Sequence, residues 1–355
     1  KGINVYYFDE TKSELVQQLL HLLEQKKEQK KTLIQVITTG QDTRESLIHY
    51  QGVQRWMAAC PGRIIATTDD AEGIFPAFVD EDNLTKFVLP IEVQKDISGL
   101  GLSTNEVFSA LISGLDAKEL MEGFLNVPVA FAARLASIQY FLYQKGRDIN
   151  VIFTYSNGLK GLNSWIKARF REEFTKVVRA PFVETAIGTT DNHSIVENIL
   201  NGPNRVFTIF LKILSEPDDI GPIVGGQFAS SLVPDLVFGN TIKDISDKFL
   251  WAATKTFVKK GRLNVTVQVP QLDARSIGEL FGLFEMTAVC LGDLLRSNIV
   301  SVSSPIGQLR VNSYELLVTN QASSPVESDS ANAGLSIFSH LIQEEWSVLR
   351  ISNNE

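Results

Sequence analysis

In 148-DINVIFTYSNGLKGLNSWIKARFREEFTKVVRAPFVETAIG-188 the hydrophobic pattern changes twice. Residues 148–156 are a short apolar run rich in β-branched and aromatic side chains, the mark of a buried strand. Residues 160–174 switch to helical period, and 181–188 read as a strand again. Two strands separated by a helix of this length imply a parallel β-α-β unit.

The same alternation extends in both directions. Toward the N-terminus, Leu15, Leu19, Leu20 and Leu23 recur at helical spacing, and 32-TLIQVITTG-40, 63-RIIATTDD-70 and 86-KFVLP-90 read as strands. The segment 43–60 is helical in period, with Pro61-Gly62 as punctuation, and 103–144 is mostly helical. Toward the C-terminus, 204-NRVFTIFLKI-213 and 263-LNVTVQVP-270 are strands, separated by a helical stretch over 233–261. Residues 275–297 form a long, largely apolar helix, and 334–349 an amphipathic one after a linker-like stretch. The expected class is α/β, with two subdomains, each a parallel sheet flanked by helices in three αβα layers. The expected boundaries are 1–125 and 147–320, with a connecting helix at 126–146 and a linker and helix at 321–355.

At 355 residues the chain can bury a proper core. Its net charge of −8 argues against nucleic acid as the main partner. With no apolar run of about 18 residues, no membrane span is expected. The N-terminal residues lack the layout of a signal peptide, which makes the expected location cytoplasmic. Cys60 and Cys290 stand alone in apolar stretches and read as buried thiols, and no metal-ligand spacing occurs, so no metal site is expected.

Candidate chemistry begins with 186-AIGTTDNHSIVENIL-200, which holds His193, one of four histidines. His193 reads either as an acid/base group or as part of a helix cap. The second reading has a specific form, since Ser194 and Glu197 spell the Ser-x-x-Glu capping box.

Several stretches resemble the phosphoglucose isomerases. Residues 140–176 are similar to the family segment that ends in a Glu-Ser-Glu-Gly-Lys type motif, and 188–208 to its His-Ser stretch. Residues 263–295 resemble its long late helix, and 64–73 and 112–124 also match in order. The resemblance runs collinearly over roughly residues 4–320. It implies two sugar-isomerase (SIS) subdomains and a homodimer with sites at the subunit interface. The first subdomain is expected to be incomplete on its N-terminal side, because the family's Gly-Ile-Gly-Gly-Ser turn has no counterpart.

The family's reaction moves a carbonyl between C1 and C2 of a phosphosugar. It needs a carboxylate base, a ring-opening acid/base, a cation for the cis-enediolate and donors for the phosphate, but no cofactor. By resemblance Glu172 falls at the base, with Glu173 as the alternative register, and His193 at the ring-opening group. Thr38, Thr39 and Thr43 retain hydroxyls of the phosphate loop, and Lys95 and Arg310 are the nearest cations to the family's Arg and Lys positions.

The departures are electrostatic. The phosphate-loop Lys is gone and Asp42 has entered, and Asp96 stands at the Arg position. At about 5 Å and an effective dielectric of about 20, each unit charge facing a like charge costs on the order of 3 kcal/mol. The leading expectation is therefore a glucose-6-phosphate isomerase homologue with impaired or no isomerase activity and a binding, regulatory or assembly role. The alternatives are a working aldose-ketose isomerase of glycolysis and gluconeogenesis, or a sugar-phosphate sensor.

Overall fold

In a computed structural model the β-α-β unit of the opening stretch is β4 (Ile149–Thr154), α5 (Lys160–Phe174) and β5 (Phe182–Ile187). The structure describes residues 13–25, 33–38, 50–52, 54, 64–68, 85–88, 104–175, 177, 179–216, 221–223, 238–296 and 348–350. The chain divides into two units, Lys1–Ala117 and Lys118–Glu355.

The first unit contains α1 (Ser13–Gln25), β1 (Ile34–Thr38), β2 (Ile64–Thr68), β3 (Thr85–Val88) and α2 (Thr104–Ile112). Its strands pair in parallel in the order β1-β2-β3. Thr67 is buried in this sheet and its hydroxyl donates to the carbonyl of Val36. The predicted helix over 43–60 falls largely outside the described residues.

The second unit adds α3 (Ala117–Leu125), α4 (Val129–Gln144), α6 (Ile195–Asn201) and β6 (Val206–Ser215) to the opening unit. It continues with α7 (Ile242–Lys259), β7 (Asn264–Gln271), α8 (Ala274–Arg296) and β8 (Val348–Arg350). The sheet order is β5-β4-β6-β7-β8 and every pairing is parallel. The predicted helix over 334–349 lies outside the described residues, apart from Val348 and Leu349, which belong to β8.

Burial on both faces explains the unbroken apolar runs of β4 and β6. On one face, Ile152, Ile209, Leu211 and Val267 pack under α4, α5 and α8 through Leu135, Ile166, Phe170, Leu280 and Phe284. On the other, Phe153 and Phe210 meet Ile199 of α6 and Leu250 and Phe257 of α7. Phe210 makes edge-to-face contacts with Phe153 at 5.7 Å and Phe257 at 5.5 Å. This unit is therefore the expected three-layer αβα arrangement.

Helix α8 lies very close to α3. A Cβ at Gly278 would sit 2.0 Å from the Leu120 carbonyl oxygen, and one at Gly123 would sit 2.0 Å from that of Arg275. Only glycine permits that approach. Helix α8 packs against α4, α5 and the sheet of its own chain. Among the described residues no single helix is long and apolar enough to cross a membrane.

Candidate active site residues at two edges of one sheet

Parallel topology fixes where the two candidate groups lie. Strands β4 and β5 run side by side in the same direction, so α5 must carry the chain back from the end of one to the start of the other. Glu172, in the last turn of α5, lies at the edge where the strands begin. His193 closes a short 3-10 turn, Thr190–His193, that follows the end of β5. Open α/β sheets bind ligands beyond the ends of their strands; the His193 turn lies there and Glu172 does not. Within one chain they are separated by the length of a six-residue strand, on the order of 20 Å.

The strand-start edge is a buried ionic cluster. The helical period of α5 turns Ile166, Arg169, Phe170 and Glu173 inward and leaves Glu172 outward. The Glu172 side chain is 70% exposed, and its carboxylate lies 3.2 Å from Arg169 Nη1. Its neighbour Glu173, the alternative register, is only 4% exposed and accepts from Arg296 Nη1 at 2.7 Å. Of the two adjacent carboxylates, Glu172 is the one that reaches solvent.

Arg169 is committed to α8. Its Nε donates to both carboxylate oxygens of buried Glu285 at 2.8 Å. Arg296, at the end of α8, also donates to Asp293 at 3.1 Å. Burial pushes the Glu285 carboxyl up to about 7 against the pull of Arg169. Sequence reasoning missed Arg169, Glu285, Asp293 and Arg296. The available signal was a lone Glu between Phe284 and Met286 in an apolar helix.

The strand-end edge is built differently. Tyr155 follows β4 and is buried against Phe153 and Phe210. Its hydroxyl donates to Asn192 Oδ1 at 2.8 Å. Burial pushes its pKa up to about 12, so it remains a donor across the physiological range. Gly188 sits against the ring, where an added Cβ would lie 2.5 Å from the Tyr155 carbons. The next acid, Asp191, accepts the Ile187 N–H at 2.7 Å.

His193 follows these anchors and is exposed. The capping box expected from Ser194 and Glu197 is not formed. Ser194 has helical backbone angles and makes no side-chain cap bond; its hydroxyl instead donates to the Asp191 carbonyl at 3.4 Å. The extended backbone that aims a cap oxygen at the first N–H groups is absent here.

Thr38 is the last residue of β1, in the first unit. Thr39, Thr43, Lys95 and Arg310, with Asp42 and Asp96, lie outside the described residues. Among the described residues no three His, Cys, Asp or Glu side chains are grouped to hold a metal ion.

No protein-family model matches the chain. A glucose-6-phosphate isomerase from Symbiobacterium thermophilum is 26% identical over 303 residues, covering 81% of this chain and 65% of that protein. The chain spans less than two thirds of that relative's length. Among solved structures, a hypothetical protein from Thermus thermophilus superposes with a TM-score of 0.68 at 22% identity, over 90% of this chain and 77% of that one. A glucose-6-phosphate isomerase from Chlamydia trachomatis superposes with a TM-score of 0.56 at 15% identity, over 94% and 66%. The chain is thus similar in sequence to proteins named glucose-6-phosphate isomerase, and it shares its fold with a solved protein of that name.

Proposed function

We propose that the chain is an isomerase-like protein of the glucose-6-phosphate isomerase type whose own isomerisation is impaired, leaving a binding, regulatory or assembly role in cytoplasmic sugar-phosphate metabolism. The observation that supports this is the charge around Glu172. Glu172, Glu173, Glu285 and Asp293 surround two guanidiniums, Arg169 and Arg296, and both guanidiniums are already bound to these acids. An enediolate or phosphate arriving at Glu172 would meet neutralised cations and surplus carboxylate. The sequence adds Asp42 and Asp96 at positions where the family carries neutral or cationic groups.

Single lost electrostatic stabilisers cost enzymes about 100- to 1000-fold. The test is a coupled assay of the purified chain with fructose 6-phosphate, together with calorimetry using 6-phosphogluconate. Turnover below detection and weak or absent binding are expected. Turnover of about 10 per second or more, the ordinary range of metabolic enzymes, overturns the proposal.

A second reading is a working isomerase that acts through a cis-enediolate as a homodimer. It is favoured by the exposure of both Glu172 and His193 at opposite edges, an arrangement that a two-fold pair could join into shared sites. Its test is complementation. Glu172→Gln and His193→Gln chains would each be inactive, and their mixture would regain activity.

A further inference from the structure

We propose that Tyr155 is a positioning residue for His193, holding through Asn192 and against Gly188 the turn that presents the imidazole to solvent. Three contacts converge on the residues just before His193. The Tyr155 ring fills the space beside Gly188 that any side chain would need. Its hydroxyl grips Asn192, one residue before His193. Asp191 ties the turn back to the last residue of β5. The ring itself cannot shift easily, because Phe153 and Phe210 contact it with centroids 5.4 and 6.1 Å away.

The local alternative is that this turn exists to cap α6, and the structure removes it. Ser194 makes no cap bond. The side chains of Asp191 and Asn192 are spent on fixing the turn itself, and His193 is left exposed beyond them. A buried tyrosine whose only polar atom reaches a surface turn transmits the rigidity of the sheet to that turn.

The inference rests on reading His193 as a group offered to a sugar phosphate, but the experiment reads His193 directly. In the full chain, the His193 ring signal is identified by NMR from its loss in His193→Gln. Tyr155→Phe keeps the ring and removes the hydroxyl. It is expected to shift or broaden that signal and to raise amide exchange over 190–193 about fivefold, the value of one ordinary hydrogen bond. Amides of β4 should stay protected. Asn192→Ala should reproduce the effect, and the double variant should go no further than either single one. An unmoved His193 signal in Tyr155→Phe, or a double variant whose effects simply add, overturns the proposal. Turnover of fructose 6-phosphate is scored separately, so its absence in the natural chain removes a catalytic use of His193 without changing this result.

Discussion

At the edge of the second sheet where the strands begin, charge is buried and side chains from two helices clamp one another. At the edge where the strands end, an aromatic ring supports a turn and the imidazole beside it is left in water. The first edge holds Glu285 and Glu173 almost fully out of solvent, each tied to a guanidinium. Among the described residues, the second holds no buried charge around His193, only a tyrosine hydroxyl, an asparagine and a carboxylate on a backbone N–H. The difference teaches where each edge is vulnerable. A buried ion pair costs most when half of it is removed, because the partner cannot recover its water. A hydrogen-bonded turn gives way in smaller steps, since solvent replaces what is lost.

The largest test of that contrast is Arg169→Ala. It strands Glu285 without its bidentate partner and weakens the hold on Glu173. The expected cost is about 3–5 kcal/mol, read as a lowered urea midpoint by circular dichroism. Replacing both Arg169 and Glu285 by methionine should restore most of it, because no charge then remains stranded. A loss below about 1 kcal/mol for Arg169→Ala would mean that water reaches this edge, and the contrast with the exposed one would collapse.

The second test uses pH. The Glu285 carboxyl is raised from 4.5 to about 7 in the folded chain. Between those values the folded state keeps a proton that the unfolded state has released. The contribution to stability is therefore complete below about pH 4.5 and is lost as pH rises through 7. The slope is at most about 1.4 kcal/mol per pH unit, and Glu285→Gln should remove it. Asp148 and Asp273 act in the opposite direction. Their carboxyls are held low in the folded state, Asp148 mainly by the hydrogen bond from Arg205 and Asp273, despite its burial, by the Ser276 N–H and Gln271. Their contribution is present above about pH 4 and is lost as pH falls below it. A natural chain and a Glu285→Gln chain with the same slope between pH 4.5 and 7 would place the ionisation elsewhere.

Gly188→Ala probes the other edge by size instead of charge. Its methyl group would meet the Tyr155 ring at 2.5 Å, and the ring is held by two phenylalanines. Overpacking of this kind costs about 1–3 kcal/mol. The urea midpoint should fall less than in Arg169→Ala, while the His193 ring signal moves more. If both variants disturb His193 equally, the two edges are coupled through the sheet and are not independent.

What could be read from the sequence follows the range of the interactions. Strands β4, β6 and β7 were legible because a sheet covered on both faces demands the continuous runs VIFT, VFTIFL and VTV. Glu172 was legible as a candidate only by resemblance, whereas His193 stood out in its own stretch and the resemblance supplied its role. Their placement at opposite edges follows from a rule that was available, since a helix joining adjacent parallel strands must end where the strands start. The ionic cluster was not legible. Arg169 and Glu285 are 116 residues apart, and a Glu inside an apolar helix announces a buried partner without naming it. The support of the His193 turn was hidden in the same way, because Tyr155 acts across 37 residues.

The smallest prediction compares two helix starts that carry the same local signature. Ser194-x-x-Glu197 precedes α6 and Thr241-x-x-Asp244 precedes α7. At α7 the box is formed: the Asp244 N–H donates to Thr241 Oγ1 at 3.0 Å, and the Asp244 carboxylate accepts the Thr241 N–H at 3.0 Å. Thr241 is extended, with φ −78° and ψ 164°, which points its oxygen along the helix. Ser194 stands at φ −108° and ψ −55°, a backbone already turned into the helix, and its hydroxyl faces back to Asp191. The turn fixed by Tyr155 and Asp191 sets that backbone, so the local signature is overruled by contacts distant in sequence. Thr241→Ala should therefore cost about 1 kcal/mol, the usual value of a formed cap, and Ser194→Ala no more than a few tenths. Equal losses at the two positions would show that Ser194 caps α6 in solution, and the turn before it would then serve the helix and not the histidine.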